Sequence, residues 1–233
     1  MNIYILVEGE RAESILYPLW ISHCQPRFRH LRIPEDAQPD SDGYYIISGY
    51  GFPSVYRHIS DAVHTINECG TYDFFVVGID AEELSYEERY AEIEEKINLE
   101  SLNCGCTPII IVQNCCLETW LLGNNTIIKN NDHIDERTKC FFDWYDVTRN
   151  DPELMSSKEE FFTKAKYHEK YLRTVLTTCR GRGYQKGRPH SCGTPEYWGD
   201  LLRRLEMFPG HISSFKKFVD FFADPESFRR ATD

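Results

Sequence analysis

The first half of the chain alternates short apolar runs with longer stretches in which apolar residues recur every three or four positions. Ile3–Val7, Tyr44–Ser48, Tyr72–Ile79 and Thr107–Val112 are the apolar runs, each of a length that suits a strand. Amphipathic segments follow them at Arg11–His23, Ser54–Glu68, Ser85–Leu99 and Cys116–Leu122. In the second of these, Val55, Ile59, Ala62, Val63 and Ile66 share one helical face, and Gly70 supplies a stop. The SYEE opening at Ser85 fits a capping box. Pro26–Gly43 reads as a polar connection and GYGFP, Gly49–Pro53, as a turn. Four successive strand–helix units predict an α/β fold with a mainly parallel sheet covered by helices on both faces.

Beyond about Asn125 the period becomes helical, over Ser157–Thr178, Pro195–Met207 and Ile212–Ala223, and no strand of comparable quality follows. Between the first two lies CRGRGYQKGRPHSCG, rich in glycine and arginine and read as a loop. The expected division is an α/β core over 1–125 and a mainly helical region with a basic loop over 126–233.

Composition adds an ordered globular class: 41% hydrophobic and 14% aromatic, without a low-complexity block. The N-terminal apolar run lacks a basic start, and no run approaches the roughly 20 apolar residues that span a bilayer. A cytoplasmic protein without membrane contact is expected. Nine cysteines, an odd count without an export signal, imply reduced thiols. Cys104, Cys106, Cys115 and Cys116 are spaced unlike a CxxC knuckle, so they read as small buried residues rather than zinc ligands, as do Cys179 and Cys192 near His190.

The net charge of -11 argues against broad, nonspecific nucleic-acid binding, but it is unevenly spread. Lys164, Lys166, Lys170, Arg173, Arg180, Arg182, Lys186 and Arg188 face one acid, Glu169, in the same window. Such a segment either holds a polyanion through local phosphate contacts or is a solvated face.

In an open parallel sheet, ligands bind beyond the carboxyl ends of the strands. The first apolar run ends on Glu8, the third on Asp80 with Glu82 and Glu83 just beyond, and the fourth leads to Glu118. If the first and third strands are neighbours, two carboxylates about 4 Å apart repel by roughly 4 kcal/mol at an effective dielectric near 20, so they share a proton or a cation. Hard oxygen donors favour Mg²⁺ or Mn²⁺. Glu13 and Glu83 read instead as helix-end or solvated acids. Glu118 is either a further metal ligand or the partner of an arginine at the sheet edge. His168, in KYHEKYLR, is structural unless its helix faces the acids, in which case it is a candidate general base.

VEGE after the first strand, followed by an apolar strand ending on acids one residue apart, resembles the Toprim domain. VQNCCLETWLLGN is similar to the signature of small stand-alone Toprim-like proteins, the RloB-like and AbiL-like groups, related to the OLD nucleases and often encoded beside an ATPase in phage defence. The likeness covers about residues 1–125. It implies a Mg²⁺- or Mn²⁺-dependent nuclease of an abortive-infection type system, cutting DNA or RNA, transfer RNA included, under a partner ATPase. Glu8 then matches the general acid/base glutamate, while Asp80 and Glu82 take the two acidic positions of the DxD motif. Glu82 departs from that motif by one methylene, which loosens the expected site. Lys166, Lys170, Arg180, Arg182, Lys186 and Arg188 would contact the nucleic acid, and Tyr184 could stack on a base. There is no G-x-x-x-x-G-K-[ST] loop, so any ATP would be bound by the partner. A homo-oligomer is compatible with this reading. The rival expectation is a non-catalytic Toprim-like binding or sensor subunit that grips a basic partner with its acidic edge.

Overall fold

The structure is a computed structural model and describes residues 1–103, 105–128, 134–158, 161, 163–180 and 183–229; the side chain of Arg180 is also left aside. The fold is α/β. Its sheet contains β1 (Asn2–Val7), β2 (Arg29–His30), β3 (Gly43–Ser48), β4 (Phe74–Asp80) and β5 (Thr107–Gln113), ordered β2-β3-β1-β4-β5 and all parallel. The two-residue β2 lies inside the segment read as a polar connection. It is too short to leave a periodic signal.

Two units divide the chain: residues 1–79 and 86–112 together with the described residues from Lys217 onward, and residues 80–85 with 113–216. In the first unit, β1 is buried along its whole length, as a central parallel strand must be. Ile3 pairs with Phe74 and Tyr4 with Phe75, so alternate residues face opposite sides of the sheet. One side meets α2 (Ser54–Cys69), whose Thr65 lies beside Tyr4. The other meets α8 (Ser213–Ala223), whose Phe221 lies edge-on to Phe74 at 5.3 Å, and α1 (Ala12–Cys24), whose Tyr17 fits only because Gly78 lacks a Cβ. The face predicted for α2 is the buried one, and Gly70 ends that helix with φ 65. Glutamate-rich α3 (Tyr86–Leu99) buries Arg89, Ile93 and Ile97.

The second unit holds α4 (Leu117–Leu122), α5 (Glu136–Trp144), α6 (Lys164–Arg180) and α7 (Pro195–Met207). In α6 the pairs Tyr167/His168, Tyr171/Leu172 and Val175/Leu176 are buried, one pair per turn. Thr194 caps α7 by accepting from the Tyr197 N–H, and Asp135 caps α5 by accepting from the Thr138 N–H at 2.7 Å. Of the segment predicted as one helix over Ser157–Thr178, α6 takes Lys164 onward, while residues 159, 160 and 162 lie outside the described residues.

Asp80–Ser85 and the residues after Val112 group with the helices, because Ala81 N–H bonds Gln113 O at 2.9 Å and Glu82 N–H bonds Cys115 O at 2.8 Å. From Lys217 onward, α8 belongs with the sheet, its Phe218 packed on Tyr17 and Trp20 at 4.9 and 5.8 Å.

Candidate active site

The strand order has a consequence for the site. After β1 the chain builds β3 on one side, then returns to lay β4 on the other. The carboxyl ends of β1 and β4 therefore flank the topological switch point, where connections leave in opposite directions and where open α/β sheets bind their ligands. Glu8 follows β1, and Asp80 is the last residue of β4. The Glu8 N–H extends the ladder to Gly78 O at 2.9 Å.

Glu8 is 8% exposed, and its carbonyl accepts from the Gly51 N–H at 2.9 Å, so the turn after β3 is tied to it. Glu13, read in the sequence as a helix-end or solvated acid, is buried as well. A Cβ on Gly9 would stand 2.1 Å from Glu13 Oε2. Gly9 thus provides the close approach that lets a second carboxylate lie beside the turn. The local signal was the glycine of VEGE four residues before Glu13.

Glu82 is exposed and sits at φ 53, a left-handed conformation that a side chain rarely takes. Its N–H bond to Cys115 holds it there. Glu83, also exposed, accepts at 2.6 Å from the N–H of Lys164, the first residue of α6. It satisfies an orphan donor at that helix start.

Every residue of α4 is buried. Glu118, 1% exposed, accepts from the Tyr184 hydroxyl at 2.9 Å and pairs with Lys186 Nζ at 3.4 Å, both through Oε1. Lys186 also reaches Glu169 at 3.9 Å. Burial alone would lower the pKa of the Lys186 ammonium, but Glu118, then Asp80, Cys116 and Glu169, more than offset it and raise it. The structure thus brings Asp80, Glu118 and Lys186 into one electrostatic cluster. Through Oε1, Glu118 anchors both Lys186 and Tyr184. Tyr184 is buried, which removes it as a stacking surface.

His168 is fully buried and has two partners. A carbonyl can only accept, so Nε2–H donates to Met155 O at 3.0 Å and Nδ1 accepts from the Thr119 hydroxyl at 2.7 Å. Thr119 Oγ1 in turn accepts from the Cys116 N–H at 3.3 Å. Burial lowers the His168 pKa to about 4. A neutral ring with both nitrogens engaged is a structural strut, and this arrangement gives it no proton to take up from a substrate. Cys115, Cys116 and His168 offer ligand atoms within 4.8 Å of one another. Sulfur and imidazole donors suit a soft metal rather than Mg²⁺. Burial and the neighbouring Cys115 and Glu118 push the Cys116 thiol up, keeping it protonated.

Of the basic residues, Lys166 and Arg188 are exposed and Lys170 is partly so. Arg173, also exposed, pairs with Glu169 at 2.7 Å. Arg182 and the side chain of Arg180 lie outside the described residues. No helix among the described residues is long and apolar enough to cross a membrane. In comparisons with protein-family models, curated proteins and solved structures, nothing matches this chain.

Proposed function

We propose that the chain is a divalent-cation-dependent nuclease of the Toprim type. The observation that carries this reading is the switch point between β1 and β4, flanked by Glu8 and Asp80 at the ends of its two strands. The donor set fits a hard cation. Glu8, Asp80 and Glu82 would hold Mg²⁺ or Mn²⁺ through carboxylate oxygens, and Glu82 is exposed enough to reach it. When bound, the cation would neutralise phosphate charge and lower the pKa of water, so that it is more readily deprotonated to a nucleophile. The chain's own contribution is positional. Lys186, held by Glu118, would supply positive charge to a scissile phosphate, while Arg188, Lys166 and Lys170 would contact the nucleic-acid backbone. Control by a partner ATPase and a role in antiphage defence follow from the resemblance of VEGE and VQNCCLETWLLGN to the defence proteins, and a homo-oligomer is compatible with it.

Incubating the protein with RNA, including transfer RNA, and with single- and double-stranded DNA in Mg²⁺ or Mn²⁺ tests the reading. Cleavage that disappears in Glu8→Ala and Asp80→Asn supports it. Equal inertness of wild type and Glu8→Ala on every substrate, with the cognate partner present, removes it. The second reading, a non-catalytic binding or sensor subunit, draws on Lys186, whose ammonium already answers the charge of Asp80 and Glu118 without any cation. In that case Mg²⁺ would leave thermal stability unchanged.

A further inference from the structure

The turn after β3 carries two aromatic side chains in solvent. Tyr50 is 61% exposed and Phe52 47% exposed, although nothing in the turn requires an aromatic. Tyr50 also has φ 57, a left-handed conformation disfavoured for a bulky residue, and is followed by Gly51 at φ 81. Strain of this kind persists where surrounding bonds over-determine it, and it concentrates at binding sites. Here the bonds are explicit. Tyr50 N–H donates to Ser48 Oγ at 3.0 Å, Gly51 N–H to Glu8 O at 2.9 Å and Val55 N–H to Gly51 O at 3.0 Å. The backbone is pinned against Glu8, and the rings point away from the core.

Each ring is braced from within the same unit. Tyr50 packs on His58 at 5.5 Å with a 50° tilt, and Phe52 meets Tyr56 edge-on at 5.1 Å. The guanidinium of Arg89, itself buried and paired with Glu92 at 2.6 Å, lies 5.0 Å from the Phe52 ring centroid. Arg57, three residues after the start of α2 and between the bracing residues Tyr56 and His58 in sequence, is exposed and available to a phosphate.

We infer that Tyr50 and Phe52 form a stacking surface for unpaired bases of a single-stranded nucleic acid, placing the strand beside Glu8. This deepens the nuclease reading and rests on it for the identity of the ligand. Flat, rigid and partly exposed rings suit bases, whose faces are all π-surfaces, and the pinned turn loses little freedom on binding. A paired base hides its faces in the stack, so duplex should gain nothing from these rings.

The test measures binding in EDTA, where no metal-dependent cutting can occur, with a fluorescent single-stranded oligonucleotide and the duplex of the same sequence. Tyr50→Gly removes the ring and also suits the left-handed backbone; Tyr50→Phe keeps the ring. Loss of roughly 5- to 100-fold in single-strand affinity for Tyr50→Gly, retention in Tyr50→Phe and unchanged duplex affinity are expected. Phe52→Leu should weaken the same binding by a smaller factor. Unchanged single-strand affinity in Tyr50→Gly overturns the inference, as does an equal loss on duplex or no wild-type binding to either probe. A wild-type oligomer that Tyr50→Gly makes monomeric, with nucleic-acid affinity intact, overturns it in favour of a protein interface. Strong single-strand binding through Tyr50 without any cleavage in Mg²⁺ or Mn²⁺, with the cognate partner present, would sink the nuclease reading and leave this inference standing.

Discussion

Glu82 and Glu118 look alike in the sequence, each an acid shortly beyond the carboxyl end of an apolar strand. In the structure they are opposites. Glu118 is 1% exposed and holds two partners, Tyr184 and Lys186. Glu82 is exposed and is held in place through its own backbone at φ 53. A buried carboxylate persists only when its oxygens are answered, so Glu118 is committed to the fold before any ligand arrives. A carboxylate in water has no such commitment and remains available to a cation.

The comparison breaks most readily at Glu118. Glu118→Ala should destabilise the protein by about 3 kcal/mol in urea unfolding, since it removes the buried acceptor of the Tyr184 hydroxyl and the nearest counter-charge of Lys186. The Lys186 share is reduced because its side chain is 47% exposed and screened by water. A loss below about 0.5 kcal/mol, the range of ordinary surface substitutions, would place Glu118 in the same class as Glu82.

The buried set has a pH signature through His168. Its folded pKa of about 4 lies below its ordinary 6.5, so the unfolded chain binds the proton first and stability rises with pH across that window. The contribution is complete above the ordinary value and is lost as pH falls toward about 4. About 2 kcal/mol should be gone by roughly pH 5. His168→Gln should flatten unfolding free energy against pH between those limits. An unchanged slope would show that His168 titrates normally and is not the buried strut described here.

Tyr184→Phe isolates one bond of the Glu118 network while leaving Lys186 in place. Its expected effect is smaller, about 1.5 kcal/mol for a hydrogen bond to a charged acceptor. Chemical denaturation of this variant alone and in the Glu118→Gln background gives the coupling between the two groups. Additive effects would mean that the hydroxyl and carboxylate do not depend on each other.

How much of this was legible beforehand follows from periodicity. The four long strands and α2 were readable because each repeats one pattern over several residues, and the switch-point acids were readable because apolar runs end on them. The two-residue β2 and the nine-residue α5 carry too few periods to stand out. The partners of Glu118 were not readable, since Tyr184 lies 66 positions away in a loop whose glycines and arginines resemble a solvated segment. Nor was the burial of Glu13, which depends on the missing Cβ of Gly9. The resemblance to VEGE and DxD motifs pointed to Glu8, Asp80 and Glu82, but contained no sign that Glu82 would occupy a left-handed position.

That position makes Glu82 the smallest and sharpest test. A left-handed conformation costs an L-residue about 1 kcal/mol, which glycine avoids, but glycine loses a comparable amount of chain entropy on folding. Glu82→Gly should therefore leave unfolding free energy within about 0.5 kcal/mol of wild type. If the carboxylate is reserved for a cation, the same variant should lose the thermal stabilisation that Mg²⁺ or Mn²⁺ gives the wild type, because binding to the folded state alone raises its stability. A drop of about 2 kcal/mol in the absence of metal would mean that Glu82 has an unseen structural partner, in the range expected for breaking a buried contact. The distinction from Glu118 would then fail from the other side, with both acids serving the fold and neither kept for a ligand.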